Sequence, residues 1–215
     1  MPWTGATASA TTRAAPRSMR AAALATGMRC SELLGLPWRD VDLQRGILSV
    51  QHARKRGEGN RWETGAPKTR KGRRQIVLPP SAVGALRAHR TGQLEQRLAL
   101  VAAYQDQGFV FAGDLGQPMH PNTLQARFEQ MVRDAGVPRI KLHGLRHTNA
   151  TVSLPNGEHP KIVQERLGHS TISMTLDRYS HVTESMQRDA AARFDAILEA
   201  AAASEPDAAT SVNLA

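Results

Sequence analysis

The stretch KLHGLRHTNATVSLPNGEHPKIVQERLGHSTISMTLDRYSHV, residues 141–182, carries the reading of this chain. Arg146 stands between His143 and His147, His169 follows Leu167-Gly168, and Tyr179 comes ten residues after His169 and thirty-three after Arg146. An arginine, histidines and a late tyrosine in that order are what a phosphate-attacking tyrosine needs. The other tyrosine, Tyr104, lies between Ala102-Ala103 and Gln105-Asp106-Gln107-Gly108 with no basic cluster beside it. Tyr179 is therefore the candidate nucleophile.

Around these residues the pattern is mainly helical. Residues 160–167, 172–179 and 184–202 read as helices, the last with Met186, Phe194, Ile197 and Leu198 as an apolar stripe. Pro155 removes a backbone donor and should end the helix that carries Arg146 early, and Asn156-Gly157 supplies the turn. Upstream, Pro121 opens a helix in which Leu124, Phe128, Met131 and Val132 fall at helical spacing, and Gly136 closes it. Ser81 reads as the N-cap of a helix to about residue 100, with Val83, Leu86, Leu94, Leu98 and Val101 as apolar positions.

Residues 18–35 read as one helix ended near Gly35, and Pro37 to Asp42 begins an extended segment. Residues 46–52 and 74–78 alternate apolar and polar side chains and read as two strands of a hairpin. The connection between them, ARKRGEGNRWETGAPKTRKGR, is glycine-rich and strongly basic, which predicts an exposed, mobile loop that a polyanion would order. Phe109-Val110-Phe111 is too short to classify by period. The fold class expected is α+β, mainly α, with a small antiparallel sheet.

Twenty-eight Lys and Arg against 19 Asp and Glu give a formal charge of +9 and a pI near 10.7, which favours a polyanionic partner. A single cysteine, Cys30, excludes an internal disulfide framework and a cysteine zinc cluster, and fits the reducing cytoplasm. No apolar run reaches the ~18 residues that would span a bilayer. Residues 1–20 read as an Ala-, Thr- and Arg-rich low-complexity leader, residues 21–202 as one domain, and residues 203–215 as a flexible tail in which Pro206 stops any helix.

Breaking a phosphodiester without a metal demands cationic donors on the non-bridging oxygens, an in-line nucleophile, and an acid for the leaving oxygen. Arginine suits the first task because its planar fork makes paired, charge-assisted hydrogen bonds and stays ionised. Arg146 and Arg29, in TGMRCSELLGL, are the candidates, although position alone does not select Arg29. His143 and His147 have the spacing of two zinc ligands on a helix, but Gly144 stands where the base of such a site would be and Arg146 puts a cation inside it. A histidine titrating near neutrality can instead relay the proton of a tyrosine, whose free pKa of about 10 leaves it a weak nucleophile unaided.

The stretch from Leu142 to Val182 resembles the second conserved box of the phage integrase, or tyrosine recombinase, family. ATGMRCSELLGLPWRDVDL resembles the first box, and APKTRKGRRQIVLP resembles the hairpin with the family's catalytic lysine. The resemblance covers roughly residues 21–200. It implies a DNA breaking-rejoining catalytic domain in which Arg29 and Arg146 clamp the scissile phosphate and Tyr179 attacks it. His143 would be general acid or base, His169 a hydrogen-bond donor to the phosphate, and Lys68 the acid for the departing 5′ oxygen. Glu32 would orient Arg29, and His147 would have a structural role only.

The implied reaction is site-specific recombination through a 3′-phosphotyrosyl link, with double-stranded DNA as partner and no cofactor. The energy of the broken ester is retained in that link, so ATP is not required, and no GxxxxGK[ST] motif is present. The helix over 184–202 would dock on a second copy. About twenty residues precede the first box, where the family usually carries a helical core-binding domain, so the expectation is a truncated form with half the DNA clamp. Two alternatives stay open: a catalytically impaired DNA-binding remnant of an integrase, and a topoisomerase of the related tyrosine class.

Overall fold

In the computed structural model, residues 10–67, 70–179 and 184–203 are described. Helix α1 (Ala10–Thr26) and the short helix α2 (Cys30–Leu34) precede strands β1 (Val41–Asp42), β2 (Ile47–Val50), β3 (Ala53–Arg56), β4 (Trp62–Gly65) and β5 (Arg74–Val77). Helices α3 (Pro80–Leu100), α4 (Pro121–Asp134), α5 (Leu142–Ser153), α6 (Pro160–Leu167), α7 (Ser173–Tyr179) and α8 (Glu184–Ala203) follow. The chain is thus α+β and mainly α. It divides after Tyr179, and α8 forms a unit of its own. No helix among the described residues is long and apolar enough to cross a membrane.

The expected strand pair exists. β2 lies between β1 and β5, antiparallel to both, with Leu48 opposite Ile76 and Val50 opposite Arg74. Leu48, Val50 and Ile76 point into the core, as a period of two requires for a sheet covered on one face. Helices α3, α4 and α5 pack with α1, and Leu86, Leu124 and Phe128 are buried with Leu33, Leu34 and Phe111 in one cluster. A second cluster, Ala150, Leu154, Val163 and Leu167, joins α5 to α6.

Several expectations are corrected. The helix expected over 18–35 is two helices, because Gly27 takes a left-handed φ of +59° and Arg29 is extended. Helix α1 also begins at Ala10, within the stretch read as leader, and Ser18 and Met19 are buried.

The basic connection after β2 is not simply a loop, since β3 and β4 pair as a separate two-stranded sheet. Lys55 lies opposite Glu63 and Arg56 opposite Trp62, whose ring the guanidinium covers at 5.4 Å from its centroid. A cation–π contact of this kind, added to the backbone ladder, supports strands without apolar alternation.

The cap of α3 is Pro79 with Pro80 at the first turn, not Ser81. Leu94, Leu98 and Val101 are exposed, and Ala82, Leu86 and His89 are the buried positions of that helix. Beyond His89, polar contacts hold the helix: Trp38 Nε1 donates to Gln93 Oε1 (2.6 Å) and Gln96 Nε2 to the Asp114 carbonyl (2.7 Å). Finally, the segment from Pro37 opens as a 3₁₀ turn over Trp38–Asp40 and becomes a strand only at Val41.

Candidate active site

The break between α1 and α2 organises the site. The last carbonyls of a helix have no partner within it and carry partial negative charge. At the end of α1, side chains of α5 meet the backbone: Asn149 Nδ2 donates to the Leu24 carbonyl inside the helix (2.7 Å) and Arg146 Nη1 to that of Gly27 just past it (2.6 Å). The arginine cation therefore sits at the favourable pole of α1, and it is 5% exposed. A Cβ at Gly27 would lie 2.3 Å from Leu167 Cδ2, so only glycine fits both the conformation and the close approach of α6.

Two residues on, Arg29 precedes α2. Glu32 Oε2 accepts the Arg29 backbone N–H at 2.9 Å, satisfying a donor at the helix start, and Glu32 Oε1 accepts Arg29 Nη1 at 2.9 Å. The carboxylate is 2% exposed, whereas the Arg29 side chain is 40% exposed and remains accessible to a ligand. Arg29 Nη2 also stands 3.5 Å from the Gly168 carbonyl, a long contact that brings it beside the turn carrying His169.

Arg74 completes the group, and sequence reasoning passed over it. Its Nη1 and Nη2 donate to Glu32 Oε1 (3.2 Å) and Oε2 (2.9 Å), and its Nε to the Arg166 carbonyl (2.5 Å). Burial raises the Glu32 carboxyl pKa, but the hydrogen bonds and charges of Arg74 and Arg29 outweigh it, and the net shift is downward. The signal was present in the strand period, because Arg74 shares its face of β5 with buried Ile76. A cation on a core-facing position calls for a buried acid.

Gly168 ends α6 in the left-handed conformation, φ +64° and ψ 43°. His169 follows, with its Nδ1 2.9 Å from Thr175 Oγ1 on α7. Thr175 is fully buried and lies one helical turn before Tyr179, so the imidazole is tied to the helix on which the candidate nucleophile stands. Tyr179 is the last residue of α7, and helix α7 packs on α5 and α6.

His143 is exposed on the first turn of α5, with its ring edge-on to that of His147 at 5.0 Å. Lys68 lies outside the described residues. The turn after α5 absorbs Pro155: Glu158 N donates to the Ser153 carbonyl (3.1 Å), and Arg166 pairs with Glu158 and with Ser153 Oγ.

The structure thus brings Arg29, Arg146 and the 168–169 turn to one place through Glu32, Gly27 and Arg74. Among the described residues, no group of three or more His, Cys, Asp or Glu gathers to hold a metal ion. The Cys30 thiol is pushed up by burial and does not have the character of a reactive thiolate.

The sequence of residues 5–186 matches the model of the phage integrase family. The chain belongs to that family. A tyrosine recombinase XerC-like protein of Caldanaerobacter subterraneus is 36% identical over 179 residues, covering 78% of this chain and 46% of that protein. A putative prophage phiRv2 integrase of Mycobacterium tuberculosis is 31% identical over 174 residues, covering 80% and 44%.

Among solved structures, the Tn1549 transposon integrase in complex with transposon right end DNA superposes with a TM-score of 0.67 at 27% identity. That match covers 88% of this phage integrase family chain and 60% of the other. The chain spans about half the length of the curated relatives it matches.

Proposed function

We propose that this chain carries the strand-cleaving and rejoining chemistry of a tyrosine recombinase, acting on double-stranded DNA in site-specific recombination. The observation that carries the reading is the Arg29–Glu32–Arg146 arrangement around the α1–α2 break, with His169 tied through Thr175 to the helix that ends at Tyr179.

In this reading Arg29 and Arg146 hold the non-bridging oxygens of the scissile phosphate. The Tyr179 oxygen attacks phosphorus, a tyrosyl-phosphate bond forms to the 3′ side, and the bond to the 5′ oxygen breaks. His143 accepts the tyrosine proton, Lys68 gives a proton to the departing 5′ oxygen, and His169 donates a hydrogen bond to the phosphate. A 5′-hydroxyl of another strand then attacks the link, and the same protons move in reverse. Each preorganised donor of this kind is worth roughly 3–4 kcal/mol of transition-state stabilisation.

The exposed cations of β3, β4 and their turn, Lys55, Arg56 and Arg61, give the DNA backbone a basic surface. Phosphate contacts of this kind supply salt-sensitive affinity without sequence information. Phe194, Ile197 and Leu198 of α8 are 61%, 64% and 52% exposed, an apolar set suited to docking on a second copy bound to the same DNA.

The test is a suicide DNA substrate, nicked so that the cleaved end diffuses away. An SDS-stable protein–DNA adduct that forms in EDTA and is lost in Tyr179→Phe is the expected result. An adduct that persists in Tyr179→Phe overturns the reading. Salt-sensitive binding without adduct on a preformed nicked site also overturns it, in favour of a binding remnant.

A further inference from the structure

Arg74 makes four hydrogen bonds with one guanidinium. Two go to the two oxygens of Glu32, one to the Arg166 carbonyl near the end of α6, and one to the Gly72 carbonyl at 2.9 Å. Its side chain is 6% exposed, and that of Glu32 is 2% exposed. Each Glu32 oxygen is shared: Oε1 between Arg74 and the Arg29 guanidinium, Oε2 between Arg74 and the Arg29 backbone N–H.

The same guanidinium packs under the 168–169 turn, where a Cβ at Gly168 would stand 3.1 Å from Arg74 Nη1 and 3.1 Å from the Lys71 carbonyl. Lys71 Nζ reaches the Ser170 carbonyl at 2.6 Å, so the segment entering β5 is fastened along that turn.

We propose that Arg74 is a positioning residue of the phosphate site. It holds the Glu32 carboxylate against Arg29 and fixes the turn that carries His169, so that the two reach one phosphate together. Arg74 itself touches no substrate. The inference rests on the recombinase reading for its functional consequence, but the Arg74–Glu32 dependence on which it stands is separate from DNA chemistry.

The physics makes the coupling readable. The charges acting on Glu32 are Arg74 from β5 and Arg29 from the start of its own helix. Burial opposes ionisation of the carboxylate, and the two arginines maintain it. Without Arg74, burial acts against a single, partly exposed cation, and the Glu32 pKa rises. A protonated Glu32 no longer accepts both Arg29 donors, so phosphate binding by Arg29 becomes pH-dependent. A side chain that merely filled space would not produce this.

Two measurements test it on the full chain. The first follows the Glu32 carboxyl carbon by NMR against pH in the wild type, Arg74→Gln and Arg74→Lys. The expected result is an upward displaced titration in Arg74→Gln, smaller in Arg74→Lys, where one charge remains but the paired donors are lost. An unchanged Glu32 titration in both variants overturns the inference, whatever the protein does with DNA.

The second is single-turnover adduct formation on the suicide substrate between pH 5.5 and 8. Arg74→Gln should lose about 10- to 100-fold, the usual scale for displacing a catalytic group by an ångström, and gain an acid limb that the wild type lacks. In a Glu32→Gln background, adding Arg74→Gln should cost no more than about twofold, because residues acting through one partner are not additive. An equal loss in both backgrounds shows that Arg74 acts independently of Glu32 and overturns the inference. If Arg74→Gln does not fold, as read by circular dichroism, Arg74→Lys carries both measurements. A wild type that forms no adduct overturns the recombinase reading and with it the functional half of the inference, while the NMR arm still decides the Arg74–Glu32 dependence.

Discussion

Replacing Gly27 with alanine should be among the most damaging single-methyl additions in this protein. Two costs add. The φ of +59° is left-handed, and a non-glycine residue there costs about 1–2 kcal/mol. The new Cβ would also lie 2.3 Å from Leu167 Cδ2, more than an ångström inside the ~3.5 Å at which carbons meet.

Leu167 has no room to withdraw, since it is fully buried with Ala150, Leu154 and Val163. Overpacking of this kind costs about 1–3 kcal/mol, so the total is about 2–5 kcal/mol. At ~2–4 °C per kcal/mol for a domain of this size, the midpoint should fall by roughly 4–20 °C.

The assay is urea and thermal unfolding followed by far-UV circular dichroism. A second variant separates the two terms: in a Leu167→Ala background the clash is relieved, and Gly27→Ala should cost only the left-handed term of about 1–2 kcal/mol. A Gly27→Ala stability within about 0.5 kcal/mol of wild type, the spread of ordinary surface substitutions, would refute the reasoning about the α1–α2 break and its contact with α6.

Phe128→Ala, at a fully buried position of α4, should lose about 3–5 kcal/mol in urea unfolding; a loss under about 1 kcal/mol would mean that α4 does not pack as described. His89 is buried, and burial lowers its pKa although its hydrogen bond to the Val110 carbonyl raises it. Its neighbours are the rings of Trp38 and Phe111, and Arg127 lines the same small cavity. The unfolded chain therefore binds the proton more readily, and stability should fall as pH drops below about 6.5, by at most about 1.4 kcal/mol per pH unit. Comparing unfolding at pH 7.5 and 5.5 should show that His89→Leu loses this slope, and an identical slope in both proteins would count against it. Thr175→Val removes the bond to His169 Nδ1 and should slow adduct formation about tenfold or more, as loss of an oriented donor does, with little change in DNA affinity. A wild-type rate would show that the His169 orientation does not depend on α7.

Much of the architecture was legible because apolar periodicity and turn residues agreed. Pro160 and Gly168 bracket α6 at both ends, Leu124, Phe128 and Val132 mark the buried stripe of α4, and the alternation in β2 and β5 gives their pairing. The break after α1 was not legible, because Met28, Leu33 and Leu34 continue an apolar pattern through it and the decisive contact, Gly27 with Leu167, is distant in sequence. The β3–β4 pair was hidden for a different reason: its backbone ladder and a cation–π contact, rather than an apolar face, hold it.

At the site, the order of arginine, histidine and late tyrosine marked Arg146, His169 and Tyr179, and the resemblance to the family's boxes added Arg29. Composition could not reveal that Asn149 and Arg146 meet carbonyls at and just past the end of α1, or that one carboxylate serves two arginines. Both depend on which helix end faces which side chain, and neither has a local sequence signature.

The central claim is that Tyr179 forms the covalent bond to DNA. Adduct from the suicide substrate, treated with nuclease and then trypsin, leaves a nucleotide remnant on one peptide. Cleavage after Arg178 and Arg188 gives YSHVTESMQR, residues 179–188, and cleavage after Arg97 and Arg127 gives the peptide with Tyr104. Tandem mass spectrometry should find the phosphonucleotide mass on Tyr179 in the first peptide; finding it on Tyr104, or on no tyrosine, would contradict the account.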